Sequence, residues 1–177
     1  MTRAEPISPW GGPPQEMLTS PDGAWKASYS NSREIAMGAP ISGTLSVSNG
    51  IEIRSCNSSF VWSDDSRYLA VPQWTRSRMQ LLVVVDLSGR RACYADREFS
   101  VLELHSFSEG VVAGIDSPVH RPAPVSINVR DLDWSLGIQA DPYDTASRAR
   151  GGGGTWRAGL MVAAAVLLAA VLAFVLL

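Results

Sequence analysis

Hydrophobic and polar residues alternate along most of this chain, in short segments that are separated by turn residues. The segments are rich in β-branched and aromatic residues, and a period of two places successive side chains on opposite faces of a strand. Nine strands are predicted in this way, over residues 25–30, 43–48, 51–56, 68–74, 80–87, 90–95, 100–106, 110–115 and 124–132. The pattern predicts an all-β fold, a small antiparallel β-sheet domain over residues 17–134 that follows a Pro-rich disordered arm over residues 1–16.

The final segment, residues 158–177, breaks this pattern because it contains no polar or charged side chain. A helix of that length is about 30 Å long, which matches the hydrocarbon thickness of a bilayer. A helix that is apolar on every face needs a large surrounding protein to bury it, and the rest of this chain is too small to do so. One C-terminal transmembrane helix is therefore predicted, with residues 135–157 as a flexible Gly/Arg linker.

The residues that flank the expected span predict its orientation. Arg148, Arg150 and Arg157 precede it, and Trp156 lies where an interfacial aromatic anchor is expected. Basic flanks stay on the cytoplasmic side, so we expect a tail-anchored, single-pass protein of the inner (plasma) membrane with its domain in the cytoplasm. The first sixteen residues lack the apolar stretch of a secretory signal, which agrees with this orientation. Arginine supplies all but one of the 15 basic residues, a bias that favours a bacterial membrane.

An internal repeat of 43 residues runs through the predicted β domain. The interval is shared by two sets of residues, Ser20, Ser63 and Ser106, and Ala27, Ala70 and Ala113. The first two copies open on Asp-containing turns, at residues 20–23 and 63–66, and the turn of the third copy, at 106–110, is degraded. Shared turn, strand and alanine positions together indicate three copies of one unit.

The middle copy resembles a known family. Residues 60–71 (FVWSDDSRYLAV), followed by residues 80–89 (QLLVVVDLSG), resemble one blade of a TolB-type or tryptophan-aspartate-repeat β-propeller. In that family an Asp-Gly or Asp-Ser turn leads into an inner strand, a second strand ends near an Asp, and a fourth strand closes the blade. Residues 129–133 repeat the ending of the second strand in the third copy. The resemblance covers about residues 17–134 and implies two to three blade-like repeats.

A closed propeller needs at least four blades, which is more chain than precedes residue 158. Three arrangements would cover the open sheet edges. In the first, two chains combine, and in the second, another protein completes the sheet. In the third, the strands pack as a small sandwich-like domain that resembles propeller blades in sequence only. The third arrangement is favoured.

Candidate binding residues lie in the predicted hairpins over residues 31–42, 74–79 and 117–124, which project from the same side in a blade-like arrangement. The candidates are Arg33, Trp74, Arg76, Arg78, His120 and Arg121. They predict a basic rim for an anionic partner or for lipid headgroups. The whole chain is not basic, with 17 acidic and 15 basic residues and a net charge of −2, so no nucleic-acid partner is expected.

Other residue types do not indicate catalysis or a metal site. Asp22, Asp64 and Asp65 are expected to cap backbone amides, because the ligand spacing and final Glu of a calcium loop are missing. Cys56 and Cys93 lack the spacing of a zinc site and should be reduced in the cytoplasm. His105 and Ser106 are neighbours on a strand and therefore point to opposite faces. No cofactor and no metal is predicted, and the chain is not expected to be an enzyme.

The sequence thus predicts a membrane-tethered, non-catalytic interaction or scaffold module. Its expected partners are the lipid bilayer and either another protein or a second copy of the chain. Within the span, Ala165, Ala169 and Ala173 recur at a spacing that allows helices to approach closely, which is compatible with a homodimer. The alternative is a domain that senses a small ligand or envelope stress.

Overall fold

The computed structural model describes residues 6–13 and 15–134. The expected linker and span lie outside these residues, as do the flanking residues Arg148, Arg150, Trp156 and Arg157. No helix among the described residues is long and apolar enough to cross a membrane. The described residues form antiparallel sheets and contain no α-helix, which confirms the all-β prediction.

Ten strands make up the two sheets. They are β1 (Ala27–Glu34), β2 (Ile41–Val47), β3 (Glu52–Cys56), β4 (Val61–Trp62), β5 (Tyr68–Trp74), β6 (Gln80–Asp86), β7 (Arg91–Phe99), β8 (Leu102–Ser108), β9 (Val111–Asp116) and β10 (Ala123–Asn128). The larger sheet has the order β1-β2-β3-β5-β6-β7, and β4 also pairs with β5. The smaller sheet has the order β10-β9-β8.

Strand β6 lies between two hydrophobic cores, which explains its continuous apolar sequence. Val83 and Val85 face a core that they share with strands β1–β3. Leu82 and Val84 face a second core, shared with strands β8–β10. A strand that is buried on both faces has no solvent side to fill with polar residues, so the usual alternation disappears here.

All nine predicted strands are present, and the differences concern their ends. The predicted strand over 124–132 ends at Asn128, whose side chain accepts a hydrogen bond from the N–H of Arg130. That bond caps a short 3₁₀ turn over Val129–Asp131 and stops the strand. The two-residue strand β4 was not predicted as a strand of its own.

Residues 6–13 differ from the disordered arm that was expected over residues 1–16. Ile7 is only 3% exposed and belongs to the core beneath strands β1–β3. The carbonyl of Pro9 accepts from the N–H of Ile41 at 3.0 Å, and the carbonyl of Ser8 accepts from the hydroxyl of Ser58 at 2.9 Å. One buried side chain and two paired carbonyls therefore fix this segment to the domain, despite its proline content.

The turn that precedes β5 is held by a serine and an aspartate. The Ser63 hydroxyl donates to Asp65 Oδ1 at 2.6 Å and accepts from the N–H of Tyr68 at 2.8 Å. The same carboxylate oxygen accepts from the N–H of Arg67 at 3.0 Å. Asp65 thus caps a backbone amide, as predicted.

The turn that precedes β1 has the same bonds, 43 residues earlier. The Ser20 hydroxyl donates to Asp22 Oδ1 at 2.7 Å and accepts from the N–H of Trp25 at 3.0 Å, while Asp22 also accepts from the N–H of Ala24. Before β9 a tight turn with Glu109 and Gly110 at positive φ replaces this arrangement. Two turns therefore share one hydrogen-bonded structure, and the third is shorter.

Candidate functional site

Three hairpin loops and one strand connection meet at the same end of the domain. The loops are residues 35–40 between β1 and β2, 75–79 between β5 and β6, and 117–122 between β9 and β10, and the connection is residues 100–101. The indole of Trp74 donates to the carbonyl of Ile41 at 3.3 Å, which joins the first two hairpins. Asp116 pairs with both Leu102 and Ala123, which brings the third hairpin beside the connection. We call this region the hairpin end.

A groove of about 560 Å³ opens at the hairpin end, between the loops 35–40 and 117–122. Its apolar lining includes Trp10, Met37, Pro40, Val101 and Val119. Its charged or titratable lining consists of His120 and Arg121, and no acidic side chain is among its described lining residues. The groove therefore combines an apolar floor with a cationic edge.

Met37 projects from the first wall of this groove and is fully exposed, at 101%. Gly38, with a φ of +71°, lets the loop turn sharply beside it. The Glu34 carboxylate accepts from the N–H of Gly38 at 3.1 Å, and the Trp10 indole donates to the carbonyl of Gly38 at 3.1 Å. The loop backbone is thus fixed on both sides while the methionine side chain points into solvent.

Val119 projects from the second wall and is 63% exposed. Asp116 Oδ1 supports this wall from below, because it accepts from the N–H groups of Ser100 at 3.0 Å and Val101 at 3.1 Å. The N–H of Ser117 donates to the carbonyl of Val101 at 2.8 Å. Two large hydrophobic side chains therefore stand exposed on opposite sides of one groove.

The structure separates the five charged or titratable rim residues that the sequence predicted into two groups, and it places Trp74 apart from both. His120 and Arg121 line the groove. Arg33, Arg76 and Arg78 are exposed in strand β1 and in the loop 75–79, and they are not among the residues that line the groove.

Trp74 differs from the expectation that it belongs to the rim. Its side chain is 5% exposed, and its indole N–H is used to hold the first two hairpins together. The strand β5 is buried on both faces, so even the last residue of that strand faces the interior. Trp74 is therefore a packing residue at the base of the hairpin end.

Acidic residues also lie at the hairpin end, so its rim is not uniformly basic. Glu34 is next to Arg33, Glu98 accepts from the hydroxyl of Ser77 in the loop 75–79, and Asp116 lies under the loop that carries Arg121. The expected basic rim is in fact a rim of mixed charge.

Trp10, Met37, Val101 and Val119 were not predicted as site residues. A lone apolar residue within a polar loop has no periodicity from which to infer its position. The available signal was the presence of Met37 and Val119 inside the predicted hairpins over 31–42 and 117–124, where exposed hydrophobic side chains are unusual.

The buried titratable groups away from the groove support the fold. The Asp86 side chain is 3% exposed, and this burial by itself raises the pKa of its carboxyl. The N–H of Gly89 and the guanidinium groups of Arg91 and Arg67 lower the same pKa by more than burial raises it, so the pKa of Asp86 is below its ordinary value. Burial raises the pKa of Cys56 and that of Cys93 to about 12, which keeps both thiols protonated. Protonated, buried thiols are poor nucleophiles and poor metal ligands.

Groups of metal-ligating side chains are lacking in the part of the chain that the structure describes. No three His, Cys, Asp or Glu side chains there are grouped to hold a metal ion. A second groove, of about 530 Å³, lies at the opposite end, and its charged lining residues Asp64, Asp65, Arg67, Glu109 and Arg130 include both signs. It presents no large exposed hydrophobic side chain.

No family model matches this chain, and no curated protein and no solved structure matches it either. The function is therefore inferred from the geometry of this chain alone.

Proposed function

We propose that this protein is a membrane-tethered, non-catalytic interaction module that docks its partner at the hairpin end. The expected span over 158–177 would anchor it in the inner membrane, with the domain in the cytoplasm. One observation carries the docking surface, namely the exposure of Met37 and Val119 on the two sides of a single groove. Large hydrophobic side chains that are exposed together, with polar residues around them, are typical of interaction sites.

The scaffold under this surface supports the blade-like interpretation of the fold. The Ser20 and Ser63 turns share their hydrogen bonds at an interval of 43 residues, and each is followed by a hairpin whose loop lies at the hairpin end. The third unit has the equivalent hairpin, β9–β10. We therefore infer three blade-like repeats, and rigid repeats that present neighbouring loops are a common way to build a binding surface.

The polar groups around the groove favour binding over catalysis. A hydroxyl nucleophile needs a base within hydrogen-bond reach. The Ser117 hydroxyl donates to Asp116 at 3.4 Å, but the same carboxylate oxygen already accepts from the N–H groups of Ser100 and Val101. Asp116 therefore stabilises the loop. The open shape of the groove also favours a protein surface over a small ligand, since small-ligand sites are usually enclosed.

The described residues end away from the groove. Trp134, the last described residue, lies at the end opposite the groove, where its indole donates to the carbonyl of Val129 at 3.0 Å and its ring is 5.6 Å from that of Tyr68. A seven-residue strand separates the two ends by about 23 Å. The expected tether would therefore start at the end of the domain opposite the groove.

Site-specific photo-crosslinking tests this function in the full-length protein. A benzophenone amino acid replaces Met37 in one variant and Ala24, which is exposed in the turn before β1, in a matched control. After irradiation of intact cells, we expect a protein adduct from position 37 in the membrane fraction and none from position 24. Equal adducts from both positions, or none from position 37, would contradict the proposal.

A further inference from the structure

We propose that the groove at the hairpin end binds an acidic segment of another protein, an extended stretch that carries Asp or Glu beside at least one large hydrophobic side chain. This inference rests on the proposed function, because it takes the same groove as the docking surface. It adds the chemical class of the partner, for which the charge, the lining and the shape of the groove each supply a reason.

The charged side chains in the loops of the hairpin end are all arginines. The loops 35–40, 75–79 and 117–122 and the connection 100–101 contain no Asp or Glu, and their arginines are Arg76, Arg78 and Arg121. All three are exposed, and Arg121 lines the groove beside His120. An anionic partner is therefore the electrostatic complement of these loops.

The nearby carboxylates lie at the strand ends below the loops, and each accepts a hydrogen bond from the domain itself. The Glu34 carboxylate accepts from the loop 35–40, Glu98 accepts from the loop 75–79 at 3.2 Å, and Asp116 accepts from residues 100–101. Glu34 and Glu98 also directly follow an arginine in the sequence. The strand ends therefore carry mixed charge, and the loops above them supply the excess of cations.

The apolar lining of the groove calls for a hydrophobic component in the partner. Met37 and Val119 are exposed on the two walls, and the floor between them includes Trp10, Pro40 and Val101. A purely ionic ligand would leave this apolar surface in water. A large hydrophobic side chain between the walls would bury it, which favours association. Carboxylates on the same segment would then face the cationic wall.

The shape of the groove favours a segment of chain over a membrane surface. The floor lies between two loop walls, so a flat layer of lipid headgroups would rest on the walls and not contact the floor. The Trp10 indole and the Glu34 carboxylate hold Gly38 in the first wall, and the Asp116 carboxylate holds residues 100–101. Loops that are already fixed lose little conformational entropy when a segment docks between them.

Selection from a library of short random peptides displayed on phage tests this chemistry, with the full-length chain in a nonionic detergent. We expect the enriched peptides to contain more Asp and Glu than Lys and Arg, next to a large hydrophobic residue. Their binding should weaken as salt is added, because salt screens exposed charges. Enriched peptides without an acidic excess, or no enrichment over a surface without the protein, would overturn the inference.

Two exposed substitutions show whether the selected peptide lies in the groove. Fluorescence anisotropy measures the dissociation constant of the most enriched peptide for each full-length variant. Arg121→Glu should raise this constant about tenfold or more, because like charges would then meet at the cationic wall. Met37→Ser removes apolar surface from the other wall and should raise the constant several-fold.

Matched controls make the same kinds of change at exposed positions of the opposite end. They are Arg130→Glu and Ala24→Ser, and neither should alter the dissociation constant of the peptide. Circular dichroism on all four variants checks that the fold is retained. A peptide that binds Arg121→Glu as tightly as the unaltered protein, or that loses affinity equally in Arg130→Glu, would overturn the inference.

The photo-crosslink at position 37 separates this inference from the proposed function. Mass spectrometry maps the site of the adduct, and we expect a segment of another protein with an excess of Asp and Glu. An adduct to a second copy of this chain, or to a segment without that excess, would keep the docking surface and overturn only the acidic partner. An adduct to lipid alone, or no adduct at position 37, would contradict the proposed function as well.

Discussion

At the residue scale, one serine hydroxyl organises each of two turns. Ser63 donates to Asp65 and accepts from the N–H of Tyr68, so a single side chain closes the loop between β4 and β5. Ser20 makes the equivalent bonds before β1. The two turns also touch, because the Ser66 hydroxyl accepts from the N–H of Asp22 at 3.0 Å. Small polar residues thus hold each turn in shape and join the two turns to each other.

Ser63→Ala should destabilise the domain by about 1–3 kcal/mol at neutral pH, because it leaves the N–H of Tyr68 without its acceptor. Chemical denaturation followed by tryptophan fluorescence measures the loss in the free energy of unfolding. Ser88→Ala, at an exposed position of the turn between β6 and β7, is the control and should unfold like the unaltered protein.

The effect of Ser63→Ala should also depend on pH. The Ser63 hydroxyl is the main cause that lowers the pKa of Asp65, with smaller lowering contributions from the N–H and charge of Arg67, and partial burial raises it. A lowered pKa in the folded protein stabilises it above the unfolded pKa, and this stabilisation is lost as the pH falls through the folded pKa. The difference between the two proteins should therefore shrink in strong acid, and a difference that is constant with pH would refute this role of Asp65.

At the element scale, the strands follow from local sequence, but their contacts do not. The alternation and the turn residues predict all the strands except β4. That strand is two residues long and depends on distant partners, since it pairs with β5 while the adjacent Ser59 hydroxyl accepts from the N–H of Leu104 in the other sheet. The position of Trp74 could not be predicted for the same reason, because a strand that is buried on both faces has no polar side from which to infer orientation.

The candidate site was predicted only in part, for a related physical reason. The hairpins that carry His120 and Arg121 are visible in the sequence as turns between strands. Whether a loop residue such as Met37 faces solvent or the core depends on what packs beside it, here Trp10 and the loop 117–122. That information lies in the tertiary structure.

Gly114→Ala tests the close packing of β8 against β9. A Cβ at Gly114 would overlap the backbone carbonyl of Glu103, which cannot move without shifting the strand. We expect a loss of about 1–3 kcal/mol in the free energy of unfolding, the usual cost of overpacking. A Cβ at Gly12 would meet no atom within 4 Å, so Gly12→Ala should have little effect. Equal stability of the two variants would contradict the packing described for the smaller sheet.

Ile7→Ala tests the packing of the N-terminal segment. Ile7 is in the core, so its truncation should cost about 2–5 kcal/mol and lower the melting temperature. Pro6→Ala changes an exposed neighbour and should leave the melting temperature unchanged. A melting temperature for Ile7→Ala equal to that of the unaltered protein would instead indicate that residues 6–13 are a dispensable arm in solution.

At the scale of the whole molecule, the hairpin end and Trp134 lie at opposite ends of the described domain. In the proposed module, the tether would therefore start at the end of the domain opposite the proposed docking surface. The hairpins β1–β2, β5–β6 and β9–β10 each contribute one loop to the hairpin end. Loss of the tether should therefore leave the fold intact and abolish only the membrane location.

Membrane fractionation of the full-length chain is the most direct test of the proposed tether. Cells are lysed without detergent, the membranes are washed with alkaline carbonate, and the chain is compared with a variant that ends at residue 157. We predict that the full-length chain stays in the carbonate-resistant pellet and that the shortened variant moves to the supernatant. A full-length chain in the supernatant would contradict the account.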